Sequence, residues 1–166
     1  MINNTHAVQY IPPGEFWITA APNITDIAGA VAGTISRHKA AAAETIVVTI
    51  PIAMMANSVA LQGAKVTSIE VDFETTIADL TSITAVLNKV TRGADLAVAT
   101  VAAVTFTQTP TAALAKVFDQ HKLVITPTVP FWTSNDSYYL LQLTCVCPAT
   151  SVMDFLAAFV NYTFRM

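Results

Sequence analysis

A chain of 166 residues that is 54% hydrophobic and only 11% charged carries too little charge to cover a lone domain, since about 25% is usual in soluble proteins. A net charge of -3, with the eight Lys and Arg scattered and Arg37-His38-Lys39 the only cluster, speaks against nucleic-acid binding, which needs a basic stripe. The length suits one domain with a real core, so the remaining choices are a membrane or a surface covered by other subunits.

The N-terminus, MINNTHAVQYIPPGEFW, has neither the basic head nor the apolar run of a signal peptide, so folding in a cytoplasm is expected. Residues 1–30 are expected to form an N-terminal segment that includes Trp17, and 31–166 the main domain. ETIVVTIPIAMM (44–55) is Thr- and Val-rich and reads as a strand. Residues 45–64 lack charge over 20 positions, as do 96–115, which is long enough to cross a bilayer. Interior Pro51 and Pro110 and several Thr, Ser, Asn or Gln argue against a transmembrane helix in either.

In GAKVTSIEVDFETT (63–76), Ile69, Val71 and Phe73 alternate with Ser68, Glu70, Asp72 and Glu74, the period of a strand with one buried face. A loop or helical turn is expected around 77–82, then a strand to about Thr91. VATVAAVTFTQT (98–109) reads as one strand. Thr109 as N-cap with Pro110 at the first helical position predicts a short helix in 109–118. HKLVITPTV (121–129) and SYYLLQLTCVC (137–147) read as strands joined by a tight turn over Phe131–Asp136, the second carrying Tyr139, Leu141, Leu143, Cys145 and Cys147 on one side. Ser151 with Asp154 resembles a capping box, while the tail Val160–Phe164 reads as strand. Turn signals at Asn57-Ser58, Gln62-Gly63, Arg92 to Asp95, Ser134 to Asp136 and Pro148-Ala149 separate these segments. The expected fold is all-β, an antiparallel β-sandwich or jelly roll with one or two short helical turns.

The residues that could carry chemistry are sparse. His6, His38 and His121 stand in separate segments, and neither a Gly-x-Ser-x-Gly elbow nor a His-Glu-x-x-His helix accompanies them. Asp119-Gln120-His121 offers half of a metal site at most. Glu70, Asp72 and Glu74 share a strand face at spacings of about 7 Å, which suits a solvated or subunit-facing stripe better than a calcium site. Cys145 and Cys147 lack the Cys-x-x-Cys spacing and are read as buried free thiols, as a reducing cytoplasm favours. No cofactor, metal or enzymatic activity is expected. Asn-x-Thr/Ser sequences at Asn3, Asn23, Asn135 and Asn161 need no sugar without secretion. The aromatics Trp17, Phe131, Trp132, Tyr138 and Tyr139 are either core and interface residues or a stacking platform for a sugar. Trp17, Trp132, Asn135 and Asp136 are the candidate partner contacts, and the partner is expected to be protein.

The succession of IPI near residue 50, GAKVTSIEVDFETT, TAVLNKVTRGA, DQHKLVITPTVPFWTSNDSYYLLQLT and a last segment ending AAFVNYTFRM resembles a group of tailed-phage and viral-metagenome proteins over about residues 30–166. The resemblance implies a β-sandwich or jelly-roll virion component, such as a capsid decoration, spike or head-fibre protein, made in the host cytoplasm and present in symmetric copies, a trimer by analogy. Its partners would be copies of itself and the major capsid or other virion proteins. The N-terminal third, where the resemblance implies that docking segments lie, departs from the pattern, so residues 1–30 are a candidate docking arm and the attachment point stays open.

Overall fold

Alternating burial along nearly every segment produces strands, and these pair into two sheets. The computed structural model describes residues 4–20, 23–29, 35–52, 64–93, 99–133 and 136–165. The expected turns at Asn57-Ser58 and Gln62-Gly63, and the candidate contact Asn135, lie outside them. The strands are β1 (Asn4–Ile11), β2 (Trp17–Ala20), β3 (Ile24–Ala28), β4 (Ile35–Lys39), β5 (Glu44–Ile52), β6 (Ala64–Thr76), β7 (Ser82–Thr91), β8 (Thr100–Val104), β9 (Phe106–Thr109), β10 (Gln120–Pro127), β11 (Phe131–Trp132), β12 (Ser137–Cys147) and β13 (Val152–Arg165).

The large sheet runs β3-β4-β13-β6-β10-β9, with β1 also on β13 and β11 also on β6; the small sheet runs β2-β5-β12-β7-β8. All pairs are antiparallel, and one set of them is nested: β7 with β8, β6 with β10, β5 with β12, and β4 and β1 with β13. This inside-out winding is that of a jelly roll, two sheets folded from one long antiparallel ribbon. Strands β1 and β2 are hydrogen-bonded to β13 and β5, so the sheets continue across the expected boundary at residue 30.

The core lies between the sheets. Ile69, Val71 and Phe73 of β6 are fully buried, as are Leu141, Leu143 and Cys145 of β12, with Tyr139 and Cys147 nearly so. Phe155 of β13 meets Phe73 at 6.2 Å and Phe16 edge-on at 6.3 Å between ring centroids. The β6 alternation slips at Thr67, where β13 skips a partner; the Thr67 hydroxyl donates to the Asn161 carbonyl at 3.0 Å. Among the described residues no helix is long and apolar enough to cross a membrane.

Several expectations need correction. The segment expected to be one strand over 98–109 holds, in its described part from 99 on, two strands in different sheets, β8 and β9, broken at Thr105. The helical turn expected in 109–118 is α1 (Ala112–Ala115), capped by Thr111 rather than Thr109, and the Thr109–Pro110 bond before it is cis. A 3-10 turn at Pro13–Glu15 is the other helical element among the described residues. Ser151 and Asp154 form no capping box: β13 is strand throughout, the Ser151 hydroxyl donates to the Pro148 carbonyl, and Asp154 faces His38. Strands β10 and β12 are not a hairpin. The chain leaves β6 near Pro127, returns to it as β11, and crosses to the small sheet as β12.

Candidate functional site

The outward positions of the small sheet follow from its registers. Across the strands they read Tyr138-Val90-Val101, then Pro51-Leu140-Asn88-Ala103, then Trp17-Thr49-Gln142-Val86, then Val47-Thr144-Thr84. None of these described residues is charged. Val86, Val101, Trp17 and Tyr138 are well exposed, the last two at 53% and 48%. Charge gathers at the margin, where Arg92 donates its backbone N–H to the Asp136 carbonyl at 2.7 Å just past the Tyr138 row. A neutral centre with a polar margin is how protein interfaces are arranged.

The outward face of the large sheet is the reverse. Glu70, Asp72 and Glu74 line β6, Lys122 reaches Glu70 at 3.0 Å, and Asn161 donates to Glu70 at 2.8 Å. His38 Nδ1 lies 2.8 Å from the Asp154 carboxylate. Burial holds the Asp72 carboxyl above the usual range; nearby Lys122 opposes this and Glu70 adds to it. A hollow of about 330 Å³ opens here between Asp72, Phe73, Gln120, His121, Lys122 and Leu156. His121 is engaged at 2.6 Å with the Val117 carbonyl, so its ring N–H is turned to the backbone. Among the described residues no group of three or more His, Cys, Asp or Glu is placed to hold a metal ion.

At one end of the neutral face lies a hollow of about 310 Å³ walled by Trp17, Pro51, Ile52, Tyr138 and Tyr139. Trp17 comes from β2 and the tyrosines from β12, so β5 between them brings together residues distant in sequence. Tyr139 turns inward and stacks on Phe131 at 3.8 Å, while Tyr138 turns outward. Of the candidate contacts, Trp17 is therefore in the hollow. Trp132 lies on β11 in the large sheet, 40% exposed, with the Lys65 ammonium 5.8 Å from its ring centroid. Asp136 is exposed at the margin. The structure adds Pro51 and sets Tyr138, one of the aromatics singled out in the sequence, in the same hollow as Trp17; only the outward register, invisible in the linear sequence, links them.

Cys145 and Cys147 are free and buried on the inner face of β12. Burial pushes both thiols above the ordinary range, with Lys39 opposing the shift at Cys147. They are therefore poor nucleophiles. No known family profile matches the chain, and no curated protein matches it.

Proposed function

We propose that this protein is a non-enzymatic structural component of a phage virion, a capsid decoration or spike protein that works as a symmetric homo-oligomer, with a trimer the favoured state. The uncharged outward face of the small sheet carries this reading. Its five strands hold 39 residues, which at about 3.4 Å along and 4.8 Å across each strand give roughly 640 Å², approaching the ~800 Å² that each partner contributes to a stable complex. Covering a neutral face that exposes Trp17, Val86, Val101 and Tyr138 is a physical reason for a charge-poor exterior. The jelly-roll winding agrees with the sequence resemblance, and buried free thiols agree with folding in a reducing host cytoplasm before incorporation in a virion.

A carbohydrate-binding adhesin head is the competing reading, favoured by the exposed pair Trp17 and Tyr138. Sugar recognition wants planar polar side chains beside the rings, and among the described residues the hollow's walls contain neither Asn, Asp nor Gln. That composition supports a protein occupant. Light scattering and native mass spectrometry of the purified chain, followed by imaging of the particle, test the proposal. A symmetric oligomer is expected; a monodisperse monomer that stays soluble at high concentration would remove its physical basis.

A further inference from the structure

We propose that neighbouring copies meet head to tail, an apolar tip at one end of one copy seating in the Trp17–Tyr138 hollow of the next. The proposal rests on the self-assembly reading above and assigns its contact. The tip is built from two loops. Ile77, between β6 and β7, is 71% exposed and has a φ of 75°, a conformation that β-branched residues rarely adopt. Beside it, Leu114 of α1 and the following Val117 and Phe118 are exposed at 60%, 39% and 56%. The loops are laced together: the Leu80 N–H donates to the Lys116 carbonyl at 2.8 Å, and the Phe118 N–H to the Asp79 carboxylate at 2.9 Å. Solvent gives no reason to hold four large apolar side chains out at one place on a strained, hydrogen-bonded frame.

Strand β7 fixes where tip and hollow stand. It begins at Ser82, next to the tip, and ends at Thr91, paired with Ser137 beside Tyr138, so the two patches lie at opposite ends of a strand about 30 Å long. One is convex and the other concave, and a hollow of about 310 Å³ admits an aromatic ring such as that of Phe118. The neutral face around the hollow supplies the area that a single inserted side chain lacks, roughly 640 Å² by strand spacing against the ~800 Å² per partner typical of stable complexes. Both patches have mixed charges at their margins, Asp79 and Lys116 at the tip and Arg92 and Asp136 at the hollow, so the rims can pair. A second copy is the one occupant that brings the matching tip with it. A contact between unlike patches is heterologous and closes into a ring when its rotation allows, as a trimer does.

The test uses the full chain with Phe118→Glu at the tip and Tyr138→Glu in the hollow. Each variant alone is expected to run at the mass of one chain. An equal mixture is expected to form a species of twice that mass and no larger, because only the intact hollow of the first and the intact tip of the second can meet. Wild-type oligomers that survive both substitutions, or variants that stay monomeric when mixed, overturn the head-to-tail contact. A monomeric wild-type chain overturns the self-assembly reading itself. A Phe118→Cys/Tyr138→Cys double variant gives a second readout that needs no buried charge. Since the native thiols are buried, oxidation is expected to yield a ladder of linked chains, and its absence in an intact oligomer overturns the contact.

Discussion

The ring of Tyr139 lies on that of Phe131, with 3.8 Å between centroids and 19° between planes, although Tyr139 belongs to the small sheet and Phe131 to the large one. The stack joins the sheets where the chain crosses between them. Phe131→Ala is expected to cost about 2–4 kcal/mol, from lost burial and the aromatic pair, and Phe131→Leu about half of that. Urea denaturation measures both, and a Phe131→Leu variant as stable as the native chain would show that the ring contributes volume alone.

The buried thiol of Cys145 makes stability fall in alkali. In the unfolded chain a cysteine titrates near ~8.5, whereas burial and then the neighbouring Cys147 hold Cys145 protonated in the fold. Above about pH 8.5 the unfolded state binds fewer protons than the native one, so stability present below that pH drops by up to ~1.4 kcal/mol per pH unit. Midpoints at pH 8, 9 and 9.5 should show this slope, with Cys145→Ala flattening it. Identical slopes would exclude the thiol as the cause. Ellman's reagent should label neither cysteine without denaturant.

Ile77 sits at a φ of 75° where Asn is better tolerated. Ile77→Asn is expected to raise stability by about 1 kcal/mol through relief of backbone strain while weakening self-association. Thermal melting of the dilute chain reads the first effect and light scattering the second. A loss of stability would mean that the exposed isoleucine is held by contacts within its own copy.

Lys39 is fully buried, and its ammonium donates to the Ala40 carbonyl at 2.8 Å and the Ser151 carbonyl at 2.9 Å. It ties the end of β4 to the turn between β12 and β13. Lys39→Ala leaves a cavity and two acceptors without a donor, an expected loss of about 3–5 kcal/mol; Lys39→Met keeps the volume and should lose about 1–3 kcal/mol. The ordering of the two variants in urea is the check. A Met variant as stable as the native chain would mean that desolvating the charge offsets its hydrogen bonds.

Strands β6 and β12 are plain in the sequence because each has one face in the core, and hydrophobicity there alternates with period two. Strand β13 is harder. It is central in the large sheet, and the register shift between Phe155 and Ala157 breaks its period, so Ser151 and Asp154 imitate a helix start. The break at Thr105 is equally hidden, since both sides of it alternate. What local pattern cannot supply is pairing: HKLVITPTV and SYYLLQLTCVC look like a hairpin, yet β10 and β12 bind different partners.

The candidate site shares that limit. The neutral positions of β5, β7 and β12 are readable strand by strand, but only the sheet order merges them into one face. Trp17 was identifiable as an aromatic outside the main pattern, whereas its neighbour Tyr138 depends on which way β12 faces. Trp132 and Asp136 stand near the same crossing without lining the hollow.

The nested pairing also sets an order of events during synthesis. Strand β13 lies between β6 on one side and β1 and β4 on the other, so the centre of the large sheet is synthesised after all the other described strands. Until then β1, β4 and β6 have open edges, and apolar strands with open edges invite association with other nascent chains. Most contacts join distant parts of the chain, which makes folding slow as well as late. Under the proposed self-assembly, each chain must therefore avoid meeting other copies before β13 is in place.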